Sequence, residues 1–292
     1  MEPPALAPAT AAKGPPPGWR LALVRIMRSP TAMIGLFLVG FWVLAALLAP
    51  ILPIYPPNDQ DMLAMGDPYP SWHHLLGTDV LGRDLVSRLI YGARTVLQVA
   101  PLAVATAMLV GIFMGLVAGY YGGWVDMLIG RLSDIVLAFP VIVLYVVLIS
   151  NVGPSILNII VATTVASAPG IGRIVRGLVL VLKQQGYVDA AKMRGESTPH
   201  IMFIEILPNC RGPLIVDACL RLGYTIITIG ILGFLGLGLP PPTPDWGGMV
   251  RETTTVISIW PHMSLIPSVA IVSLVLGFNL LADGIGEGNK RR

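Results

Sequence analysis

The sequence predicts an all-α membrane protein with six transmembrane helices. Of its 292 residues, 54% are hydrophobic and only 12% are charged, whereas soluble domains carry roughly twice that charged fraction. The apolar residues fall into six long stretches, each of a length that crosses the hydrocarbon core as a helix. The net charge is only +3 and the basic residues cluster at the ends of these stretches, so nucleic acid is not an expected partner.

The N-terminal part combines a tail, a surface helix and the first span. Residues 1–18 are rich in Pro and Ala, which predicts a disordered tail. Residues 19–29 place apolar and basic side chains on different faces, which is typical of an amphipathic helix at a membrane surface. The first span, about 31–52, is too long for a signal-peptide core, so we expect it to be retained.

A long polar segment, residues 53–94, completes the N-terminal unit 19–94. Its first half contains five prolines, and its apolar spacing predicts a separate amphipathic helix at about 81–90. His73 and His74 are adjacent and would point in different directions on a regular element. They therefore do not predict a metal site.

The core of the chain is expected to be residues 95–285, followed by a basic C-terminal tail at 286–292. Its five spans are expected at about 96–120, 132–150, 155–174, 213–239 and 261–281. The 155–174 span should break near Pro169. After the 213–239 span, the Pro-rich segment 240–247 predicts a turn with Trp246 as an anchor at the membrane interface.

Small residues and paired charges add detail to these spans. Gly111, Gly115 and Gly119 form two consecutive GxxxG steps, which favour a close helix crossing. Asp217 and Arg221 are four residues apart and are expected to pair. Cys210 and Cys219 show no metal-ligand or CxxC spacing and are expected to be unpaired thiols.

The distribution of positive charge predicts the orientation in the membrane. With the N-terminus in the cytoplasm, fourteen of the 19 Lys and Arg residues fall in inside regions, and Arg221 lies within a span. The other four, on the outside, are Arg83, Arg88, Arg94 and Arg251. The positive-inside rule therefore places both termini and the 175–212 region in the cytoplasm.

Residues 186–209 form a polar island in this cytoplasmic region. Asp189 to Arg194 favour a short helix, Gly195 is expected to end it, and Ser197 is expected to cap a second helix that breaks at Pro208. Two adjacent alanines in the first helix have small side chains, so another protein could approach the helix closely there. A solvated loop is the simpler alternative from the local pattern.

The sequence lacks the usual motifs for chemistry of its own. It contains no GxxxxGK[ST] phosphate loop, HExxH motif or Gly-x-Ser-x-Gly elbow. The spans carry few ionisable residues, whereas ion-driven carriers usually bury such groups near the middle of the membrane. A self-sufficient carrier is therefore disfavoured, and energy supplied by a partner protein is the better hypothesis.

Five groups of residues resemble one transporter family. Asp189-Ala190-Ala191, Gly195 and Leu207-Pro208 resemble the EAA loop of binding-protein-dependent ABC importer permeases. The other resembling stretches, within residues 20–285, are 76–89, 119–126, 233–247 and 278–284. They are most similar to the C-type permease subunit of the dipeptide/oligopeptide branch.

This resemblance implies a type I ABC importer permease fold in a bacterial inner membrane. The implied partners are a second permease subunit, two ATP-binding subunits and an external substrate-binding protein, with no nucleic acid. ATP and Mg would be held by the ATP-binding subunits, and this chain would carry no catalytic residue, metal or cofactor.

The resemblance also assigns candidate site residues. Those expected to couple to the ATP-binding subunit are Tyr187, Asp189, Ala190, Ala191, Met193, Arg194 and Gly195. Those expected at an external gate or a binding-protein face are Asp79, Arg83, Asp84, Asp245 and Trp246.

Two departures from the family pattern lie in the coupling region, and the substrate stays open. Asp189 replaces the usual Glu, and Glu205 replaces an Ile two positions before Leu207. Di- or oligopeptides are the preferred substrates, while relatives of this architecture also move nickel chelates, glutathione, opines and oligosaccharides. Dependence on ATP would distinguish an importer subunit from a self-sufficient carrier.

Overall fold

The computed structural model describes residues 29–290 of the chain and the side chains of residues 29–286. The tail expected at 1–18 and nearly all of the surface helix expected at 19–29 lie outside the described residues. The α-helices are α1 Pro30–Leu48, α2 Leu85–Tyr121, α3 Gly123–Leu137, α4 Val141–Val152, α5 Ile156–Leu182, α6 Gly186–Met193, α7 Thr198–His200, α8 Leu207–Phe234, α9 Trp246–Glu252 and α10 His262–Lys290. A π-helix, Ile201–Ile206, joins α7 to α8, and a 3₁₀ turn, Thr254–Val256, follows α9.

The helices confirm an all-α membrane fold with five to six candidate spans. Five of the described helical segments are long and apolar enough to cross a membrane: α1, α2, α5, α7 through α8, and α10. The pair α3 and α4 passes the same test jointly but is bent by 85°, which is the geometry of a broken sixth span or of a re-entrant loop. The span expected at 132–150 is thus not one straight helix, because Pro140 stands at the N-terminus of α4 and disfavours helical backbone in the residue before it.

The first two membrane helices differ from their expected bounds. α1 ends at Leu48, four residues before the expected end of the first span. The helix expected at 81–90 is not separate, because α2 runs without a break for 37 residues from Leu85. The Asp84 carboxylate starts α2 by accepting a hydrogen bond from the amide of Ser87 at 2.8 Å. At about 1.5 Å per residue, α2 is about 55 Å long and extends beyond the hydrocarbon core.

Two expected helix breaks at prolines are absent from the structure. Pro169 lies inside the continuous helix α5, where its surroundings are buried, and membrane helices tolerate proline when packing and local adjustment compensate for the lost hydrogen bond. Pro208 lies in the first turn of α8 and directly follows the π-helix. The amide of Leu207 bonds to the carbonyl of Met202, five residues back, so the wider turn carries the helix past the proline.

The C-terminal helix packs between α1 and α8. Gly35 of α1 lies against the backbone of Gly277, and Gly223 of α8 lies against Asn279. The helix extends to Lys290, well beyond residue 281, where the last span was expected to end. Residues 286–290 of the tail expected at 286–292 are therefore helical. The fifth span also ends early, at Phe234 instead of residue 239.

α2 crosses α5 closely, and the crossing uses the three glycines of the GxxxG steps. A Cβ atom on Gly111 would lie 2.7 Å from the carbonyl oxygen of Ala168, and one on Gly115 would lie 2.5 Å from that of Gly172. Gly119 lies equally close to Val179. The backbones approach so closely because these positions have no side chain, which confirms the expected crossing and identifies its partner as α5.

We predict that Gly115→Ala destabilises the protein, because its methyl group would overlap the backbone of α5. Gly177→Ala is the matched control, since nothing lies within 4 Å of a Cβ at Gly177, which is also helical and exposed. Overpacking typically costs about 1–3 kcal/mol, whereas Ala in place of Gly in a helix gains about 1 kcal/mol. In thermal unfolding in detergent, the melting temperature should therefore fall for Gly115→Ala and rise for Gly177→Ala. Equal melting temperatures for the two variants would contradict the crossing.

Candidate coupling helix and outer charge cluster

The short helix expected at Asp189 to Arg194 is present as α6, and it ends at Gly195 as expected. Gly195 has a φ of +76°, its amide bonds to the carbonyl of Lys192, and the amide of Glu196 bonds to the carbonyl of Ala191. These two bonds form a Schellman motif, which uses the left-handed conformation that glycine adopts without strain. The helix therefore stops sharply and the chain turns directly toward α7.

One face of α6 is buried against its own chain. Val188 and Ala191 are both fully buried, and they belong to a cluster that includes Val175 and Val179 of α5 and Ile201 of the π-helix. Both alanines were expected to admit a partner protein, but Ala191 is not free to do so, because its methyl group is occupied by this internal contact. Ala190 is partly exposed. The buried face fixes α6 to the ends of α5 and α8.

The opposite face of α6 is open. Met193 is 84% exposed, and Tyr187 is also exposed. The Tyr187 hydroxyl accepts a hydrogen bond from the amide group of Asn209 at 3.4 Å, and partial burial raises the pKa of Tyr187. Asp189 pairs with Lys192 at 3.0 Å within the helix and does not cap it. An exposed apolar side chain on a short, charged helix is the type of feature that a partner protein covers.

A charged turn follows α6 and connects it to the next helix. Arg194 contacts Glu196 at 2.7 Å and Glu205 at 3.3 Å, and His200 lies 3.0 Å from Glu196. Glu205, which departs from the family pattern, therefore pairs with the C-terminal end of α6. Ligand atoms of Glu196, His200 and Glu205 lie within 4.8 Å of one another, but the Arg194 guanidinium already neutralises both carboxylates, so we assign no metal to them.

Three further contacts tie α5 to its neighbours near this end. Arg176 binds Asp126 of α3 through two hydrogen bonds of 2.5 and 2.6 Å, and Arg173 pairs with Asp134 at 2.5 Å. The Lys183 amine donates to the carbonyl of Gly119 at 2.8 Å. α6 therefore continues from a helix that is bonded to both α2 and α3.

A second group of polar residues lies at the other end of α2, and we call it the outer charge cluster: Asp79, Arg83, Arg88 and Glu252. The Asp79 carboxylate accepts from the amide of Arg83 at 3.0 Å and from its guanidinium at 2.6 Å. Both arginines contact Glu252, Arg88 at 3.3 Å. Because Asp79, Arg83 and Arg88 are at most 7% exposed, charges of both signs must balance within this cluster.

Asp84 lies beside the cluster and is equally buried. One carboxylate oxygen caps α2, and the other lies 3.0 Å from His74 Nδ1, while His74 Nε2 lies 3.4 Å from Asp61. Backbone hydrogen bonds from Leu63, followed by the contact with His74, lower the pKa of Asp61. His74 thus joins the polar segment after α1 to the start of α2, and His73 takes no part in this contact.

Trp246 is completely buried and is not the interfacial anchor that the sequence suggests. Its indole NH donates to the carbonyl of Leu89 at 2.9 Å, and its ring lies edge-on to Trp42 with centroids 4.9 Å apart. Gly92 of α2 leaves the space that the indole fills. The segment after α8 folds inward for this reason, and Asp245 caps α9 by accepting from the amide of Gly248 at 3.1 Å.

Comparison with known proteins places this arrangement in a family. Residues 111–292 match the family described as binding-protein-dependent transport system inner membrane component. Residues 18–69 match the N-terminal TM domain of oligopeptide transport permease C. The chain belongs to this permease family.

Relatives match the permease over nearly its whole length. The dipeptide transport system permease protein DppC of Alkalihalophilus pseudofirmus is 40% identical over 92% of this chain and 88% of its own. The glutathione transport system permease protein GsiD of Pectobacterium atrosepticum is 39% identical over 92% and 89%. DppC of Haemophilus influenzae is 39% identical over 88% of each chain.

A solved structure supports the fold of the permease. The crystal structure of an amino acid ABC transporter with histidines aligns with a TM-score of 0.50, covering 68% of this chain and 93% of that one, at 16% identity. Together with the family match, this identifies a multi-pass membrane subunit of an ABC transporter.

The geometry of the permease adds residues that the sequence interpretation missed. All five residues expected at an external gate or binding-protein face are buried, so none offers a free surface, while Arg88 and Glu252 complete their ion pairs. Arg88 could have been identified from the sequence, because it is one of only four basic residues assigned to the outside. A buried cluster of paired charges offers no flat docking surface.

We predict that ionisation of Asp245 lowers the free energy of unfolding of the permease as the pH rises. Burial raises the pKa of Asp245 from 3.8 to about 6, partly offset by hydrogen bonds from Gly248 and Gly247. A raised folded-state pKa contributes stability that is complete below pH 4 and is lost as the pH rises through about 6. Asp245→Asn keeps a capping side chain and removes this titration.

The measurement is thermal unfolding in detergent at pH 4.5 and pH 7.5. Relative to Asp245→Asn, the wild type should lose about 1–3 kcal/mol of stability between the two values. Asp59→Asn is the control, because Asp59 is exposed, and it should follow the wild type. Parallel pH profiles for the wild type and Asp245→Asn would contradict the prediction.

Proposed function

We propose that this chain is the permease subunit of an ATP-driven, binding-protein-dependent importer of di- or oligopeptides, and that it forms half of the translocation pathway. The observation that carries the proposal is the likeness to dipeptide permeases at about 40% identity over nine-tenths of the chain. The absence of a phosphate-binding loop in the sequence agrees with ATP being bound by partner subunits.

The coupling step is proposed to use the open face of α6. In this mechanism the face with Tyr187 and Met193 contacts a groove of the ATP-binding subunit. The buried face, with Val188 and Ala191, passes the displacement to α5 and α8. A short helix that ends in a Schellman motif and is braced by Arg194 and Glu205 can move as a rigid body.

The proposed complex contains a second permease subunit, two ATP-binding subunits and an external binding protein, in a bacterial inner membrane. Both termini and α6 are placed in the cytoplasm, on the strength of the positive-inside rule. The outer charge cluster then faces the outside, at the end of α2 opposite to α6. This arrangement separates the energy input from substrate entry by the length of one helix.

Glutathione is a second candidate substrate, because glutathione permeases are 39% identical over the same length of chain. Glutathione is itself a small peptide, so both candidates fit a pathway with few charged side chains in its spans. Nickel chelates, opines and oligosaccharides stay as alternatives on the family resemblance alone.

The proposed function is tested by co-purification followed by reconstitution. The chain should be isolated in mild detergent with a second permease and ATP-binding subunits, and the complex placed in vesicles with its binding protein. ATP-dependent uptake of a labelled dipeptide supports the proposal, and competition by glutathione ranks the two substrates. Isolation of the chain alone, with solute movement in the absence of ATP, would overturn it.

We predict that Met193→Glu uncouples ATP hydrolysis from transport, because it introduces a charge at the exposed apolar tip of α6 while keeping its helix propensity. Gln184→Glu is the matched control, with the same added charge at an exposed position just before α6. Peptide-stimulated ATPase activity should fall about tenfold or more in the first variant and stay near wild type in the second.

Membrane insertion should be unchanged in both variants, which a quantitative immunoblot of membrane fractions checks. An unaltered, peptide-stimulated ATPase in Met193→Glu would show that the open face of α6 is not the coupling surface.

A further inference from the structure

A cavity of about 390 Å³ lies beside the outer charge cluster, between the start of α2, the end of α8 and α9. Three arginines, Arg83, Arg88 and Arg251, contribute to its wall, together with the carboxyl groups of Asp245 and Glu252. These three are among the four basic residues that the charge distribution assigns to the outside. Arg94, the fourth, does not line the cavity.

Arg88 is the unusual member of this wall. It is only 2% exposed, yet its Nε and Nη1 atoms have no hydrogen-bond partner among the described residues. Its Nε lies 3.5 Å from the Asp79 carboxylate and its Nη2 donates to Glu252 at 3.3 Å, so among the described residues Nη1 has neither a hydrogen bond nor an ion-pair partner. A buried donor without an acceptor costs free energy, so an acceptor that enters the cavity and reaches it would be favoured.

Arg251 supplies a second cation to the wall of the cavity. It is exposed, forms no ion pair among the described residues, and its guanidinium lies against Gly236, where a Cβ atom would be 2.5 Å from Nη1. Gly236 has a φ of +80°, which also favours glycine. The wall therefore has room for this guanidinium beside the entrance to the cavity.

We propose that this cavity receives the C-terminal carboxylate of a peptide as it leaves the binding protein. The inference rests on the proposed function and adds a specific contact to it. A guanidinium binds a carboxylate through two parallel hydrogen bonds, and the cavity wall provides the Nη1 atom of Arg88 and the guanidinium of Arg251, neither of which has an ion-pair partner among the described residues. The volume lies within the range of small-ligand sites, and the two carboxyl groups in the wall leave an excess of one positive charge.

The two carboxyl groups also shape what the cavity accepts. Glu252 is held by Arg83 and Arg88, whereas Asp245 Oδ1 has no hydrogen-bond partner among the described residues. An unpaired acceptor beside unpaired donors fits a group with its own NH, such as the last peptide bond before the carboxylate. A simple anion such as chloride would leave Asp245 unsatisfied.

The test compares one dipeptide in two forms, the free acid and the C-terminal amide, in the reconstituted complex. Each is supplied at saturation of the binding protein, so that differences in capture do not contribute. The variants are Arg251→Gln, Arg251→Lys and Arg88→Lys, with Arg94→Gln as the control for an exposed outside arginine.

Arg251→Gln should reduce uptake of the free acid about tenfold and change uptake of the amide by less than twofold. Arg251→Lys should recover most of the loss, because it restores the charge. Arg88→Lys should lower the acid-to-amide ratio, because Lys retains the charge but loses the unpaired Nη1 donor. Arg94→Gln should leave both rates and their ratio as in the wild type.

An equal loss for both peptides in Arg251→Gln, or no loss for either, would overturn the proposal. The result is distinct from a failure of the proposed function, in which the wild-type complex itself shows no ATP-dependent uptake of either peptide. Co-purification of each variant with its partner subunits verifies that it folds and assembles. If Arg88→Lys does not assemble, Arg251→Gln and Arg251→Lys alone decide the outcome.

Discussion

The close packing of α2 on α5 is the contact on which the rest of this permease depends. Gly111, Gly115 and Gly119 let the two backbones approach to a separation that any side chain would prevent. α2 begins at the outer charge cluster, and α5 leads directly into α6. In the proposed mechanism a displacement of α6 moves α2 and α5 together, because their close packing does not allow the two helices to slide past each other.

The charged residues at the two ends of this helix pair differ in their exposure to solvent. At the α6 end the ion pairs of Arg173, Arg194 and His200 are largely exposed, so they are individually weak and can rearrange. At the other end Asp79, Arg83 and Arg88 are buried, and removal of one of these side chains would leave an uncompensated buried charge. The charges at the start of α2 are thus held by buried partners, whereas those near α6 are accessible to solvent.

The sequence predicted those features that depend on local chemistry. Gly195 ends α6 because only the left-handed backbone completes the two Schellman bonds, and Asp217 pairs with Arg221 at 2.6 Å because they share a helix face. The effect of prolines on the helices was predicted wrongly in two ways: two expected breaks are absent, and one bend was not expected. Pro169 and Pro208 do not break their helices, because tertiary packing and a π-helix compensate for the lost hydrogen bonds, whereas the bend before Pro140 was missed.

Long-range contacts account for the other differences. Trp246 was assigned to the interface from its Pro-rich surroundings, but Gly92, over 150 residues earlier in the chain, provides the space that buries it. Ala191 was expected to face a partner, yet α5 and the π-helix cover it. Arg88 was overlooked because its role depends on Glu252, which a single sequence cannot place beside it. The pattern of outside arginines was nevertheless a usable signal.

The most direct test of this account is site-specific photo-crosslinking in the assembled complex. A photoreactive amino acid at Met193 should form an adduct with the ATP-binding subunit. The same group at Trp72, which is 96% exposed in the segment between α1 and α2, should not. An adduct from position 72 and none from position 193 would contradict both the coupling role of α6 and the orientation of the chain.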